Sequence, residues 1–176
     1  MSFSNTIKTT LGFLQTLVTR YTRFDLSKPS IEGIFNYLKI DERISTSGQP
    51  TEAQFELVQQ AGFRRVINLA PAGGENALPD EAATLARLGI EYVHIPVDFQ
   101  GPSEEDFREF CQAMELASSE PVWVHCAANM RVSAFLYRYR RDVLGEAPEA
   151  LESDLSRVWQ PFGVWKTFIG EGGRDE

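Results

Sequence analysis

Cysteine and histidine are scarce in this chain: 176 residues hold Cys111 and Cys126, His94 and His125, and no others of either type. Two cysteines cannot build the disulfide framework of a small secreted domain, and a reduced, cytoplasmic setting fits the composition better. Apart from the adjacent His125 and Cys126 they lie far apart, so no zinc-type ligand cluster is spelled out and no metal is expected. Basic residues are also in deficit. Seventeen Lys and Arg stand against 25 Asp and Glu, a net charge of −8. Nucleic acid and acidic membranes are gripped by basic faces, so neither is expected as a partner. A phosphorylated substrate or an inorganic anion stays open, because one small pocket can be positive inside an acidic protein. Long apolar runs are missing as well. The segment "IKTTLGFLQTLVTRYTRF" is broken by Gln15 and its threonines and lacks a small-residue cleavage pattern. It is too short and too polar to span a bilayer. Leu11, Leu14, Val18 and Tyr21 recur in it at helical spacing, which predicts an amphipathic helix packed on the domain or a partner.

What is present is ordinary soluble-protein material, 43% apolar and 24% charged. The length suits one domain, read as residues 31–176, with residues 1–30 an N-terminal helical extension. "FNYLKI" (35–40) and "RISTSG" (43–48) read as short strands. Thr51 with Gln54 makes a capping box for a helix that stops at Gly62. "RRVINLA" (64–70) is a strand, "PAGGENALP" a loop, and "DEAATLARLG" a helix ending at Gly89. "EYVHIPV" (91–97) is the next strand. Ser103 with Asp106 caps another helix, "PVWVHC" is the last strand, and a helix follows to about Gly145. A final helical region includes Trp159 and Trp165. This alternation predicts an α/β fold with a mainly parallel central sheet flanked by helices on both faces. Ligands bind beyond the carboxyl ends of such strands, which points to the loops after Ala70, Val97 and His125. The last two contain Asp98 and Cys126.

The stretch "VHCAANMRVSAF" has the parts of an anion site. A thiol between a strand end and a helix N-terminus faces unsatisfied N–H groups and a positive dipole end, which favour thiolate and cradle oxyanions. Ala127 and Ala128 are small enough for close wrapping, Asn129 tolerates a left-handed turn, and Met130 completes the loop. Arg131 offers a planar fork of donors, and Ser133 a hydroxyl within reach of a departing sulfur. A buried packing cysteine is the plain alternative for Cys126. Cys111, mid-helix, reads as packing.

Together with "TSGQPTEAQ", "GFRRVINL", "YVHIPVDF" and "VWQPFGVW", this stretch resembles the cysteine-dependent tyrosine and dual-specificity phosphatases. It is similar above all to a bacterial branch long catalogued as a domain of unknown function. The matching segments occur in order over roughly four-fifths of the chain. The resemblance implies a dual-specificity-phosphatase-like fold and Cys126 as nucleophile of a cysteinyl-phosphate route. It also implies phosphate binding by Ala127, Ala128, Asn129, Met130 and Arg131, and Asp98 as general acid; no cofactor is implied. The resemblance also implies that His125 supports the loop, and on a strand its side chain points away from that of Cys126. Asp98 read plainly is a turn or cap residue. Glu104, Glu105 and Asp106 suit a helix first turn, with Glu105 an outside candidate acid. His94 reads as a satisfied core or edge histidine. Trp159, Phe162, Trp165 and Phe168 read as the packing face of a C-terminal helix, and Arg138, Arg140 and Arg141 as solvated or salt-bridged.

One count departs from the family pattern, which has five residues between Cys and Arg and then Ser or Thr. Here four intervene: without a gap Val132 stands at the arginine position and Ser133 at the hydroxyl position, and the alternative is a tighter loop with its arginine kept at the same point in space. One residue is about 100° of helix rotation. Two alternatives follow: a catalytically weak phosphate-binding relative, and a rhodanese-like sulfurtransferase, whose shorter loop carries a persulfide and needs no general acid.

Overall fold

The structure, a computed structural model, describes residues 6–14, 30–117 and 119–170. Val18 and Tyr21 of the expected N-terminal helix lie outside them. After a helix at residues 6–14 (α1) and a 3-10 turn at Ile31–Gly33 come β1 (Leu38–Lys39), β2 (Ile44–Ser47) and α2 (Glu52–Gln60). β3 (Arg65–Asn68), α3 (Glu81–Arg87), β4 (Glu91–His94), α4 (Glu104–Leu116) and β5 (Val122–His125) follow. The chain closes with α5 (Met130–Asp142), α6 (Pro148–Val158) and α7 (Val164–Phe168). Both expected capping boxes are formed, Thr51 with Gln54 and Ser103 with Asp106.

The five strands lie in the order β1-β2-β5-β3-β4, with β1 antiparallel and the rest parallel. Register brings the carboxyl ends level, since Ser47 and Asn68 both pair with His125, and Asn68 also with His94. The loops after β2, β3, β4 and β5 therefore leave from one edge. Alternation along β5 splits the core. Val122, Val124 and Cys126 join Phe110, Phe135, Leu155 and Trp165 of the α4–α7 face. Trp123 joins Phe55, Val58 and Leu85 of the α2–α3 face. Helices on both faces of a mainly parallel sheet make this the expected α/β fold.

Three elements differ in detail. β4 stops at His94 on the sheet edge: Ile95 N–H still donates to Asn68 O, but Val97 N–H reaches Leu69 O at 3.4 Å and the register slips. The closing helical region is two helices, separated by Pro161 and by Gly163 at φ 54°. Trp159, Trp165 and Phe168 pack as expected, but Phe162 is exposed in that break. α1 turns the opposite face to the domain from the one expected. Thr9 is buried and Gly12 lies against Phe35, while Ile7, Leu11 and Leu14 face solvent. The close approach at Gly12 and the hydrogen bonds of Thr9 set that face.

Candidate active site

β5 delivers Cys126 to the sheet edge and the chain turns at once into α5. Cys126 is a free, wholly buried thiol whose N–H donates to Ser47 O at 3.4 Å. Burial is what a packing cysteine would show too, so the surroundings must decide. Ala127 O accepts from Gln49 N–H (3.3 Å) and Asn76 Nδ2 (3.0 Å), and Ala128 O from Asn36 Nδ2 (3.0 Å). These carbonyls are held from outside the loop. A trans peptide sets C=O and the next N–H in opposite directions, so Ala128 N–H points inward. Asn129, at φ 65° and ψ 0°, makes the left-handed turn into α5, and its Nδ2 donates to Asn36 O and Thr46 Oγ1. The first helical bond runs from Ser133 N–H to Asn129 O. Helix geometry thus leaves the N–H groups of Met130, Arg131 and Val132 without intrahelical acceptors.

The shifted arginine finds its own place. Val132, at the family's arginine position, is wholly buried in the core. Arg131 instead lays its guanidinium over the Phe99 ring, 5.1 Å from the centroid. Its Nε is buried with no acceptor, and no carboxylate pairs with it among the described residues. No acid occupies the first turn of α5 either. A cation at the positive end of a helix, unpaired beside open N–H groups, is a local charge excess that an oxyanion relieves.

Phe99 also places the acid loop. It packs on Trp159 and Trp165, and Trp165 Nε1–H donates to Phe99 O at 2.8 Å. Asp98 thus stands next to the residue that touches Arg131. It is exposed, and its Oδ1 accepts from Gln100 N–H, so it caps its own turn as well. Glu104 pairs with Arg138 and Asp106 closes its capping box, while Glu105 is exposed. Ser133 Oγ donates to Met130 O and accepts from Trp159 Nε1–H, so its proton is not on the sulfur here. Arg138, Arg140 and Arg141 are salt-bridged, and His94 is satisfied by Ala70 O at 2.8 Å.

On the sheet face opposite Cys126, His125 is fully buried, edge-on to Phe55, with Nε2 3.1 Å from Glu81 Oε1. Glu81 is itself buried and accepts from Asn68 Nδ2 (2.9 Å) and Gln49 Nε2 (2.5 Å). Burial pushes this carboxyl up, but the charge and hydrogen bond of His125 outweigh it, helped by bonds from Gln49 and Tyr92. The result is about 2. Burial, then the Glu81 charge, pushes Tyr92 upward. Gln49 therefore links two layers, its side chain on Glu81 and its N–H on the Cys126 loop.

A family described as a DSP-PTPase phosphatase fused to NAD+ kinase matches residues 18–160, the strands and the Cys126 loop included. The chain belongs to this phosphatase family. A DUF442 protein of Shewanella putrefaciens CN-32 has a crystal structure 34% identical to it. That match has a TM-score of 0.71 and covers 80% of this chain and 93% of the other. Tk-PTP in its active form shares the fold at 22% identity, with a TM-score of 0.64 over 77% of this chain and 94% of that one. A beta-lactamase hydrolase-like protein of Agrobacterium fabrum is 36% identical over 113 residues, 62% of this chain; the chain spans 25% of that relative's length. No described helix is long and apolar enough to cross a membrane.

Within this phosphatase-family domain, Cys126, Arg131 and the Asp98 loop occupy one sheet edge, and His125 lies behind it. Sequence reading missed Glu81, Gln49, Asn76 and Asn36. Glu81 passes for an ordinary first-turn acid after Asp80. The signal that could have found Gln49 was its place in "SGQPT", at the end of a strand beside the site.

Proposed function

We propose that the chain hydrolyses phosphate monoesters, phosphotyrosine-like or small aryl phosphates, through a cysteinyl-phosphate intermediate. Arg131 carries this reading. A guanidinium with a buried, acceptorless Nε and no carboxylate, at the N-terminus of α5 beside Cys126, is built for a charged oxygen ligand. The Cys126 thiolate attacks phosphorus as the ester P–O bond breaks, and Asp98 gives its proton to the departing oxygen. Water then attacks the thiophosphate, Asp98 takes a proton from it, and the S–P bond breaks to return the thiolate. The loop N–H groups and Arg131 bind the phosphoryl oxygens throughout.

Hydrolysis of p-nitrophenyl phosphate near or below neutral pH tests the proposal. Cys126→Ser is expected to abolish turnover, and Asp98→Ala to lower it by about 10²-fold. Turnover that survives Cys126→Ser would sink the mechanism. The four-residue loop and the engaged Ser133 hydroxyl favour one second reading, sulfur transfer through a Cys126 persulfide. Cyanide-dependent consumption of thiosulfate without phosphatase activity would establish it. Oxyanion binding with neither activity would mark a phosphate-binding relative.

A further inference from the structure

The helix α1 precedes the 18–160 region that the family shares, yet it is wired to the back of the Cys126 loop. Among the described residues, Asn36 and Asn129 are the two that are not glycine and have positive φ, 51° and 65°. They clasp each other's segments. Asn36 Nδ2 donates to Ala128 O and Asn129 Nδ2 donates to Asn36 O at 2.8 Å. The other proton of the Asn36 amide goes to Thr9 Oγ1 on α1, at 3.1 Å. Thr9 is 2% exposed and passes its own hydroxyl proton to Val158 O at 2.5 Å. Every donor in this chain from α6 through α1 to the loop is used. Removing the Thr9 hydroxyl frees the Asn36 amide to turn away from Ala128.

A steric link runs beside it. The Phe35 ring is wedged between two glycines. A Cβ at Gly12 would collide with Phe35 Cε2, and one at Gly48 would lie 2.7 Å from Phe35 Cδ1 and 3.0 Å from Ala127 O. Phe35 O accepts from Gly48 N–H at 2.7 Å, and the next N–H, that of Gln49, holds Ala127 O. α1 thus leans on Phe35, and Phe35 on the turn that fixes the loop's first carbonyl.

We infer that α1 is a positioning element of the anion loop: Thr9, acting through Asn36, holds the Ala128 carbonyl and the left-handed turn at Asn129, and Gly12, acting through Phe35 and the Gly48–Gln49 turn, holds the Ala127 carbonyl outward and so Ala128 N–H inward. The effect on turnover rests on the phosphatase reading; the effect on the loop does not. Left-handed backbone at two non-glycine residues is strained, and it persists where surrounding bonds over-determine it. α1 supplies one of those bonds from outside the shared domain.

The test uses the full chain with Thr9→Val, Asn36→Gly, which keeps the positive φ and deletes the amide, and Gly12→Ala. Thr9→Ser is the rescue and Leu11→Ala, on the exposed face, the control. Two quantities are read well below each variant's melting midpoint: kcat and KM on p-nitrophenyl phosphate, and amide hydrogen exchange over residues 127–132. Thr9→Val and Asn36→Gly are expected to speed exchange there and to lower kcat, each about tenfold, the loss of roughly one buried hydrogen bond. KM should move less, and Thr9→Ser and Leu11→Ala should stay within about twofold of the parent. Gly12→Ala should act in the same direction as Thr9→Val, although alanine is the better helix former. Unchanged exchange and kcat in folded Thr9→Val and Asn36→Gly overturn the inference. Should the parent chain hydrolyse no aryl phosphate, the phosphatase reading fails by itself, and loop exchange still decides the role of α1. Should Thr9→Val not fold, Asn36→Gly and Gly12→Ala decide it.

Discussion

Replacing Glu81 should show how much of the loop's support is electrostatic. Its carboxylate takes buried donors from Gln49, Asn68 and His125 and a further bond from Tyr92, so Glu81→Ala strands them together. Breaking a buried pair from one side costs about 3–5 kcal/mol. Linkage gives a figure of the same size, because a carboxyl held at about 2 against an ordinary 4.5 corresponds to ~3 kcal/mol. The two figures describe one interaction and do not add. Glu81→Gln separates charge from shape. The new amide would face the Gln49 amide, whose own Oε1 is buried without a partner, so a flip of Gln49 restores that bond while the charge is gone. The sign is set by the folded value lying below the ordinary one. The stabilisation is complete above about pH 4.5 and is lost as pH falls toward 2. Urea unfolding at pH 7 should therefore place Glu81→Gln about 2–3 kcal/mol below the parent, with Glu81→Ala at or beyond that. By pH 3 the gap to Glu81→Gln should have narrowed by at least half. A gap under 1 kcal/mol at neutral pH, or one that does not narrow on acidification, would refute the role assigned to the Glu81 carboxylate.

Two further outcomes bear on the site itself. Arg131→Met should leave the stability of the ligand-free protein within about 1 kcal/mol of the parent, since losing the stack on Phe99 and relieving a cation at a helix N-terminus oppose each other. It should nevertheless abolish protection by vanadate in a thermal melt; strong destabilisation with protection intact would make Arg131 a structural residue. Trp165→Phe deletes the donor to Phe99 O and should cost about 1–3 kcal/mol. In that background Asp98→Ala should lower kcat less than in the parent, and a double-mutant cycle with strictly additive losses would break the link between the tryptophan and the acid loop.

The sheet and its flanking helices were legible because local signals agreed with each other. Both capping boxes formed where a hydroxyl stood three residues before Gln54 and Asp106, and alternation along β5 put Val124 and Trp123 on opposite faces. Strand ends and side-chain partners were less legible. Level carboxyl ends depend on register between strands far apart in sequence, and only register shows that Ser47, Asn68 and His125 stand abreast. The α1 face was misread because apolar spacing locates a stripe without saying what it meets. Thr9 and Gly12 carry little hydrophobicity, and their fit to Asn36 and Phe35 is a matter of shape and hydrogen bonding. Glu81 stayed hidden for a related reason, since its donors come from segments far apart in the sequence.

The missing residue between Cys126 and Arg131 is then a change of geometry that the fold absorbs. Rotation by one helix position sends Val132 into the core, where an arginine would be untenable, and leaves Arg131 at the rim against Phe99. Had the shorter loop simply discarded its cation, position 131 would have no reason to carry charge. The first turn of α5 is a poor place for an arginine: the helix dipole disfavours it and no acid there compensates. The first turn of α4 shows the ordinary solution, with Glu104, Glu105 and Asp106 together. An uncompensated arginine at the matching point of α5, with a buried and acceptorless Nε, is a charge that the proposed oxyanion would neutralise. Charge and position carry the proposed anion site, and the loop count alone does not remove it.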